Sequence, residues 1–280
     1  MMRLLRAFRP LRPLRLIRTP RLIRVVRAQF RASLALALQY RLEFVVEGLL
    51  ALLWMAVTLV PLLVVFGTRG TVAGWSFAEM LVVLGWFVAL KGLLEGTLSP
   101  SLMAVVEHVR KGTLDFVLLK PADAQLLVSL SKIEPWRIID FIGAGVIFTY
   151  AFRQIGHRPA LTDLLLAAAL LGAAVLVLYS IALLVVSIAF IAVRVDNLLY
   201  LFQSVFDVAR WPSSVFRGAL AMIFTYVLPL ALMTTYPALA LLGKLTAGTA
   251  VGALLGALAF AALARLIWLS SIRRYTSASS

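Results

Sequence analysis

The chain has 280 residues, 62% of them hydrophobic, and a formal net charge of +15; its mean hydropathy is +1.00. Soluble domains hold roughly 45–50% apolar residues, so the apolar surface exceeds what one globular core can hide, and the excess faces lipid or a partner. Cysteine is absent, which excludes a disulfide scaffold, a thiolate metal site and a cysteine nucleophile together. His108 and His157 fall in different loops, which argues against a metal centre.

The basic residues crowd one end. Eleven of the 27 Lys and Arg precede residue 42, and no acid appears before Glu43. Arginine recurs at every third position from Arg3 to Arg27, and Arg31 follows. Pro10, Pro13 and Pro20 forbid a continuous helix before residue 20. Polyproline II geometry, at three residues per turn, would line these arginines along one face. From Thr19-Pro20 a helix can begin, with Thr as N-cap and Pro in the first turn. No apolar core or small-residue cleavage site follows, so no removable signal peptide is expected. Two readings stand for residues 1–43: a surface anchor drawn to anionic membrane lipid, or a disordered tail that only sets topology. The adjoining apolar spans favour lipid, not nucleic acid, as the anionic partner.

Crossing hydrocarbon takes about 20 apolar residues in a helix. Residues 44–66, 77–98, 164–193 and 247–269 qualify. Residues 138–152 and 197–211 are short, and the latter carry Asp207 and Arg210. The stretch 213–243 is apolar but punctuated by Pro229 and Pro237, with Pro212 just before it. One crossing through 218–240 would make seven spans. Proline removes backbone donors, so two half-helices dipping in from one face fit better, where protein or water covers the broken backbone. The expected fold is all-α and polytopic, with an N-terminal amphipathic helix in 1–43, six transmembrane helices over 44–270 and a tail at 271–280. A cytoplasmic loop, which the resemblance described below makes the coupling loop, occupies 99–137, and an outer re-entrant hairpin occupies 213–243, before the last span. With both termini inside, the inner side collects 21 Lys and Arg and the outer side six, the sense that the positive-inside rule requires. Gly248, Gly252 and Gly256 in the last span read as a close-packing face for a neighbouring helix.

One polar run, 107–121, interrupts the apolar chain. Upstream of it, residues 99–112 read as an amphipathic helix, with Ser99 as cap, Pro100 in the first turn and Gly112 as the stop. Leu102, Val105, Val106 and Val109 share one face; Glu107, His108 and Lys111 share the opposite one. Such a helix is expected to lie on the inner membrane surface. It would present a mixed-charge ridge to a soluble partner, or simply join two spans.

Gly112-Thr113-Leu114-Asp115, the Leu118-Leu119 pair, Pro121 and Lys132 resemble the cytoplasmic signature of type-2 ABC export permeases. The likeness continues in Val193-Arg194-Val195-Asp196-Asn197, Arg210-Trp211-Pro212, Tyr236-Pro237-Ala238, Leu241-Leu242-Gly243 and Arg273-Arg274-Tyr275. It covers nearly the whole chain and is similar to a bacterial branch of mostly unassigned substrate. The resemblance implies the permease subunit of an ATP-driven exporter, multi-pass in the bacterial inner membrane, N-in and C-in, and not itself an enzyme. A cytoplasmic ABC ATPase dimer, which would carry ATP and Mg, is implied at Glu107, His108, Arg110, Lys111, Gly112, Asp115 and Pro121. A second permease subunit is implied too, as a heterodimer in preference to a homodimer. Asp207, Arg210, Pro212, Pro229 and Pro237 become candidates for the pathway or its gate. The arginine-rich start departs from the family pattern.

The sequence independently lacks a P-loop. The nearest approach, Gly243-Lys244-Leu245, has Ala238 where the first glycine belongs and Leu245 where a hydroxyl belongs, so no ATP or other cofactor site is expected in this chain. The alternative is a secondary transporter or channel subunit. That class usually shows ionisable residues near the midplane or broken helices in two matching halves, whereas the strong interruption here occurs once. Lys91 with Glu95, and Asp207 with Arg210, read as two separate local pairs near span ends.

Overall fold

The computed structural model describes residues 19–113, 132–156, 158–189 and 196–274. Of the motif residues, Leu114, Asp115, Leu118, Leu119, Pro121, Val193, Arg194, Val195 and Tyr275 lie outside these. The described chain begins with helix α1 (Thr19–Gln39), so the helix start expected at Thr19-Pro20 falls at the edge of the described residues. Tyr40 leaves helical space (φ −103, ψ 61), and α2 (Arg41–Thr68) follows. A small hairpin comes next, β1 (Thr71–Val72) paired antiparallel with β2 (Trp75–Ser76). It turns through Ala73 and Gly74, both at positive φ, and the apolar pattern gave no hint of it. Ser76 then caps α3 (Phe77–Leu93) in a capping box: its hydroxyl accepts the Glu79 N–H, and Glu79 Oε2 accepts the Ser76 N–H.

From α3 the chain passes through a π-helical turn (Leu94–Leu98) into α4 (Ser99–Arg110). A 3₁₀ turn (Pro135–Arg137) leads into α5 (Ile138–Ile155), and α6 (Leu161–Ala189) follows. Next come α7 (Asp196–Phe206), a 3₁₀ turn (Asp207–Arg210) and the short α8 (Ala219–Met222), which runs on as a π turn (Ile223–Val227). A second π turn (Ala231–Thr235) opens α9 (Tyr236–Leu241), and α10 (Ala247–Arg274) ends the described chain. Among the described residues, five helical stretches are long and apolar enough to cross a membrane: Arg41–Thr68, Phe77–Arg110, Pro135–Ile155, Leu161–Ile188 and Ala247–Ile272.

Two sequence expectations change. Ser99 does not cap a separate helix, because α3, the π turn and α4 form one run of 34 residues; the Ser99 hydroxyl accepts Gln203 Nε2 at 3.1 Å instead. Nor does the apolar face of α4 rest on lipid. Leu102, Val105 and Val106 are buried in a cluster with Ala182, Leu183 and Val186 of α6 and Ala264 and Trp268 of α10. Both partner helices are long enough to continue beside α4, so protein covers the face.

The stretch expected as a sixth crossing, 197–211, is not one helix. The described part of α7 ends at Phe206, and the chain then unwinds through the 3₁₀ turn into extended Trp211 and Pro212. It still runs the height of α3. Gln203 meets Ser99, Phe206 stacks on Phe87 at 5.3 Å, and Ser214 Oγ accepts the Trp75 indole N–H at 2.9 Å. At the far end of the next segment, Lys244 pairs with Glu79, and a Cβ on Gly243 would lie 3.7 Å from Asp163 Oδ2 in the first turn of α6. Residues 214 and 243 therefore lie at the same end of the bundle. The break falls at Leu228 (φ −119, ψ 85) and Pro229. Pro237 does not break the path as expected; it sits in the first turn of α9, in a helical run continuous from Ala231.

α3 is the axis of the bundle. Met80, Val82, Val83, Leu84 and Phe87 are fully buried on successive faces, whereas α2, α5 and α10 expose most of their length. Close packing against α5 depends on glycines seven and four residues apart. A Cβ on Gly85 would lie 2.8 Å from the Phe148 ring, one on Gly92 2.8 Å from Asp140 Cβ, and one on Gly96 3.0 Å from Arg137 Cβ. The stripe expected to pack, Gly248, Gly252 and Gly256, has nothing within 4 Å. Gly92→Ala should therefore cost about 1–3 kcal/mol, because Asp140 Cβ is fixed to its backbone and cannot yield. Gly252→Ala should be neutral or slightly stabilising, since alanine is the better helix former. Thermal unfolding in detergent distinguishes them, and equal midpoints would refute the α3–α5 seam.

Candidate coupling end and a charge network

Gly112 takes φ +67°, and the tip of α4 closes as a Schellman motif. The Thr113 N–H donates to the His108 carbonyl at 3.0 Å, and the Gly112 N–H to that of Val109 at 3.2 Å. The left-handed residue is why glycine stands there. In this last turn Glu107 pairs with Arg110 and, at 2.9 Å, with Lys111. His108 Nδ1 lies 2.8 Å from Thr113 Oγ1. Glu107, His108, Arg110, Lys111 and Gly112 are thus brought together on one partly exposed helix tip, its cations well placed for the negative end of the helix dipole. Asp115 and Pro121 lie outside the described residues.

The chain that returns from 114–131 is clipped back onto the same rod. The hydroxyl of the fully buried Ser101 accepts the Lys132 N–H (3.2 Å) and donates to the Lys132 carbonyl (3.0 Å). The α-helical partner of the Gly96 carbonyl would be the N–H of residue 100, and proline has none. That carbonyl instead accepts the Glu134 N–H at 2.8 Å. Burial pushes the Glu134 carboxyl above its ordinary value, against the opposing pull of Lys132, 3.5 Å away, and Arg137. Both ends of 114–131 are therefore held by α4 and its preceding turn.

Beside this clip, the two local pairs read from sequence prove to be one network. Lys91 lies 3.7 Å from Glu95 and 3.8 Å from Asp207. Glu95 also pairs with Arg137, which reaches Asp140 at 3.3 Å. Asp207 continues to Arg210 at 3.7 Å, and Arg210 Nε donates to the Asp207 carbonyl at 2.7 Å. Lys91 and Arg210 also flank the Phe87 ring, 5.9 and 5.7 Å from its centroid. Three cations and three carboxylates thus alternate across α3, the start of α5 and the turn after α7. Arg137 and Asp140 escaped the sequence reading; their i, i+3 spacing at the start of a short span was the available signal. Pro212, Pro229 and Pro237 stand apart from this network, but the segment bearing them is tied to its end. Thr234 Oγ1 donates to the Ala209 carbonyl (2.7 Å), and Thr235 Oγ1 accepts the Ser213 N–H (3.0 Å). Among the described residues no cluster of His, Asp and Glu could hold a metal.

The family model described as ABC-2 family transporter protein matches residues 52–279. The chain belongs to this family. Among curated proteins and solved structures, none matches it. With five helices long and apolar enough to cross a membrane, it is a multi-pass membrane permease of the ABC-2 family, and the family implies association with an ABC ATPase.

Arg137→Met should destabilise this permease by about 3–5 kcal/mol, because Glu95 and Asp140 would lose their shared cation inside the bundle. Adding Glu95→Gln and Asp140→Asn should recover much of that loss, since no uncompensated charge remains. Thermal midpoints of the single and triple variants test this; equal instability of the two would show that the charges are not paired through Arg137.

Proposed function

We propose that the chain is the membrane-spanning subunit of an ATP-driven exporter in a bacterial inner membrane, with both termini inside. Separate ABC ATPase subunits carry the ATP and Mg and dock on Glu107, His108, Arg110, Lys111 and Gly112, with Asp115 and Pro121 completing the contact. The observation that carries this reading is the continuous run Phe77–Arg110, whose buried axis extends into an exposed tip closed by paired charges. Movement of the ATPases displaces the tip, and the unbroken rod passes the displacement to α3. The network then links α3 to α5 and to Asp207 and Arg210, and through Ala209 and Ser213 to the broken segment at 213–243.

That segment enters from the outside, returns to it and closes the outer mouth, with Pro229 at its deepest break. Its contacts with Trp75 and Glu79 support this placement, since both belong to the end of the bundle opposite the α4 tip. A second permease subunit, preferentially a different chain, faces this one across the pathway. The inside assignment of the α4 tip rests on the bias of 21 Lys and Arg against six.

Two experiments test the reading. Glu107→Lys should leave the permease inserted in the membrane while recovery of the ATPase with it falls severalfold, because a reversed sign sets like charges against the partner. Unchanged recovery and unchanged ATP hydrolysis would remove this tip as the docking site. For topology, Thr71→Cys and Lys132→Cys suit a chain with no cysteine of its own; Ser76 is avoided because its hydroxyl caps α3. In intact spheroplasts an impermeant thiol reagent should label position 71 and not position 132, and the reverse result would invert the topology.

A further inference from the structure

Most of the chain's basic charge has no part in the sites above. Eleven of the 27 Lys and Arg precede residue 42 without one acid before Glu43, and α1 places the last of them. Arg27 and Arg31, one turn apart, are exposed, as is Arg41 at the start of α2. The buried residues of α1, Ser33 and Ala37, are also one turn apart. At 3.6 residues per turn they lie about 120° round the helix from the two arginines. Phe30 falls between the packed side and the basic side and is 46% exposed, and Leu36 and Tyr40 are exposed further along.

The height of this helix is fixed at both ends of its function. Only Tyr40 separates it from α2, whose sequence is apolar from Phe44 apart from Glu47, and α1 packs against the Pro135–Arg137 turn that follows the clip. α1 therefore sits where a crossing helix leaves hydrocarbon, which is the depth of phospholipid headgroups. A helix there that shows arginine beside exposed Phe30, with exposed Leu36 on the opposite face, satisfies both sets of groups only at an anionic lipid surface. A soluble polyanion such as RNA would match the charge and leave Phe30, Leu36 and Tyr40 in water.

We propose that α1, through Arg27 and Arg31, is a docking surface for anionic phospholipid headgroups on the side of the membrane that carries the α4 tip. The surface is independent of the ATPase contact, so the two proposals fail separately.

Phe30→Cys gives the full-length chain a single thiol, which is labelled with bimane after reconstitution into nanodiscs. One set holds phosphatidylcholine alone, and the other one part in three phosphatidylglycerol. Emission should shift to the blue only in the phosphatidylglycerol discs, and the shift should vanish at high salt. Arg27→Gln and Arg31→Gln should each raise the phosphatidylglycerol fraction at half-shift, in keeping with a loss of about fivefold in affinity per arginine. On the unlabelled wild-type chain, trypsin cleavage after Arg27 and Arg31 should be slowed severalfold by phosphatidylglycerol. Identical emission and identical cleavage in both discs would overturn the proposal. So would a blue shift produced by an RNA oligonucleotide in phosphatidylcholine discs where phosphatidylglycerol has no effect.

Discussion

A charge among crossing helices costs about 2.5–3.5 kcal/mol on insertion scales, and this bundle places six of them together. The arrangement is tenable because they form a neutral alternating set in which each has an opposite neighbour. That requirement dictates which elements lie side by side. Arg137 reaches Glu95 only if the start of α5 comes very close to α3, and Gly92 and Gly96 are the positions where a side chain would prevent it. Asp207 reaches Lys91 only because the helix before it ends at Phe206 and tightens into a 3₁₀ turn. Glycine seam, charge network and truncated α7 are thus consequences of one constraint.

The prolines divide by what becomes of the carbonyl each one leaves free. Pro100 and Pro237 lie in helical runs, and each follows a π-helical turn that ends two residues upstream, at Leu98 and Thr235. A proline ring clashes with the carbonyl four residues back; a wider turn displaces that carbonyl and lets the helix continue. For Pro100 the displaced carbonyl of Gly96 is then taken up by Glu134. At Pro229 no such turn precedes the ring without a break, because Leu228 has already left helical space. Pro61 lies inside α2 without such a turn and leaves the helix continuous, so counting prolines located the region of interruption but not the residue that interrupts.

Much of this architecture is legible in the sequence. The stop at Gly112, the broken segment around Pro229 and the family all follow from local signals, since left-handed glycine and proline act within a few residues. Three features did not, for one physical reason: periodicity reveals that a face is apolar, not what covers it. The face of α4 reads the same whether lipid or Ala182, Val186 and Trp268 lie against it. Glycine spacing likewise favoured α10, whose stripe is open, over Gly85, Gly92 and Gly96, whose spacing of seven and four is less conspicuous. Local spacing paired Lys91 with Glu95 and Asp207 with Arg210, but the link between the pairs spans more than a hundred residues of chain.

The two irregularities of the rod and its surroundings also bear on how it could move. From Phe77 to Leu93 every turn is α-helical and buried, so this part can shift only with its neighbours. From Ser99 to Arg110 the helix is again regular and ends in an exposed tip. Between them lie the π turn, the freed Gly96 carbonyl and Glu95, with the Ser101 clip just beyond. A π turn closes its hydrogen bonds over one residue more than the α-helix around it, and resolving it would rotate α4 relative to α3 without breaking the rod. Such a rotation would draw on the Glu134 and Lys132 contacts first and on Arg137 next. Under the proposed coupling, the loop that meets the ATPase and the charge network that joins the helices are therefore adjacent because the hinge between them is the Leu94–Leu98 turn.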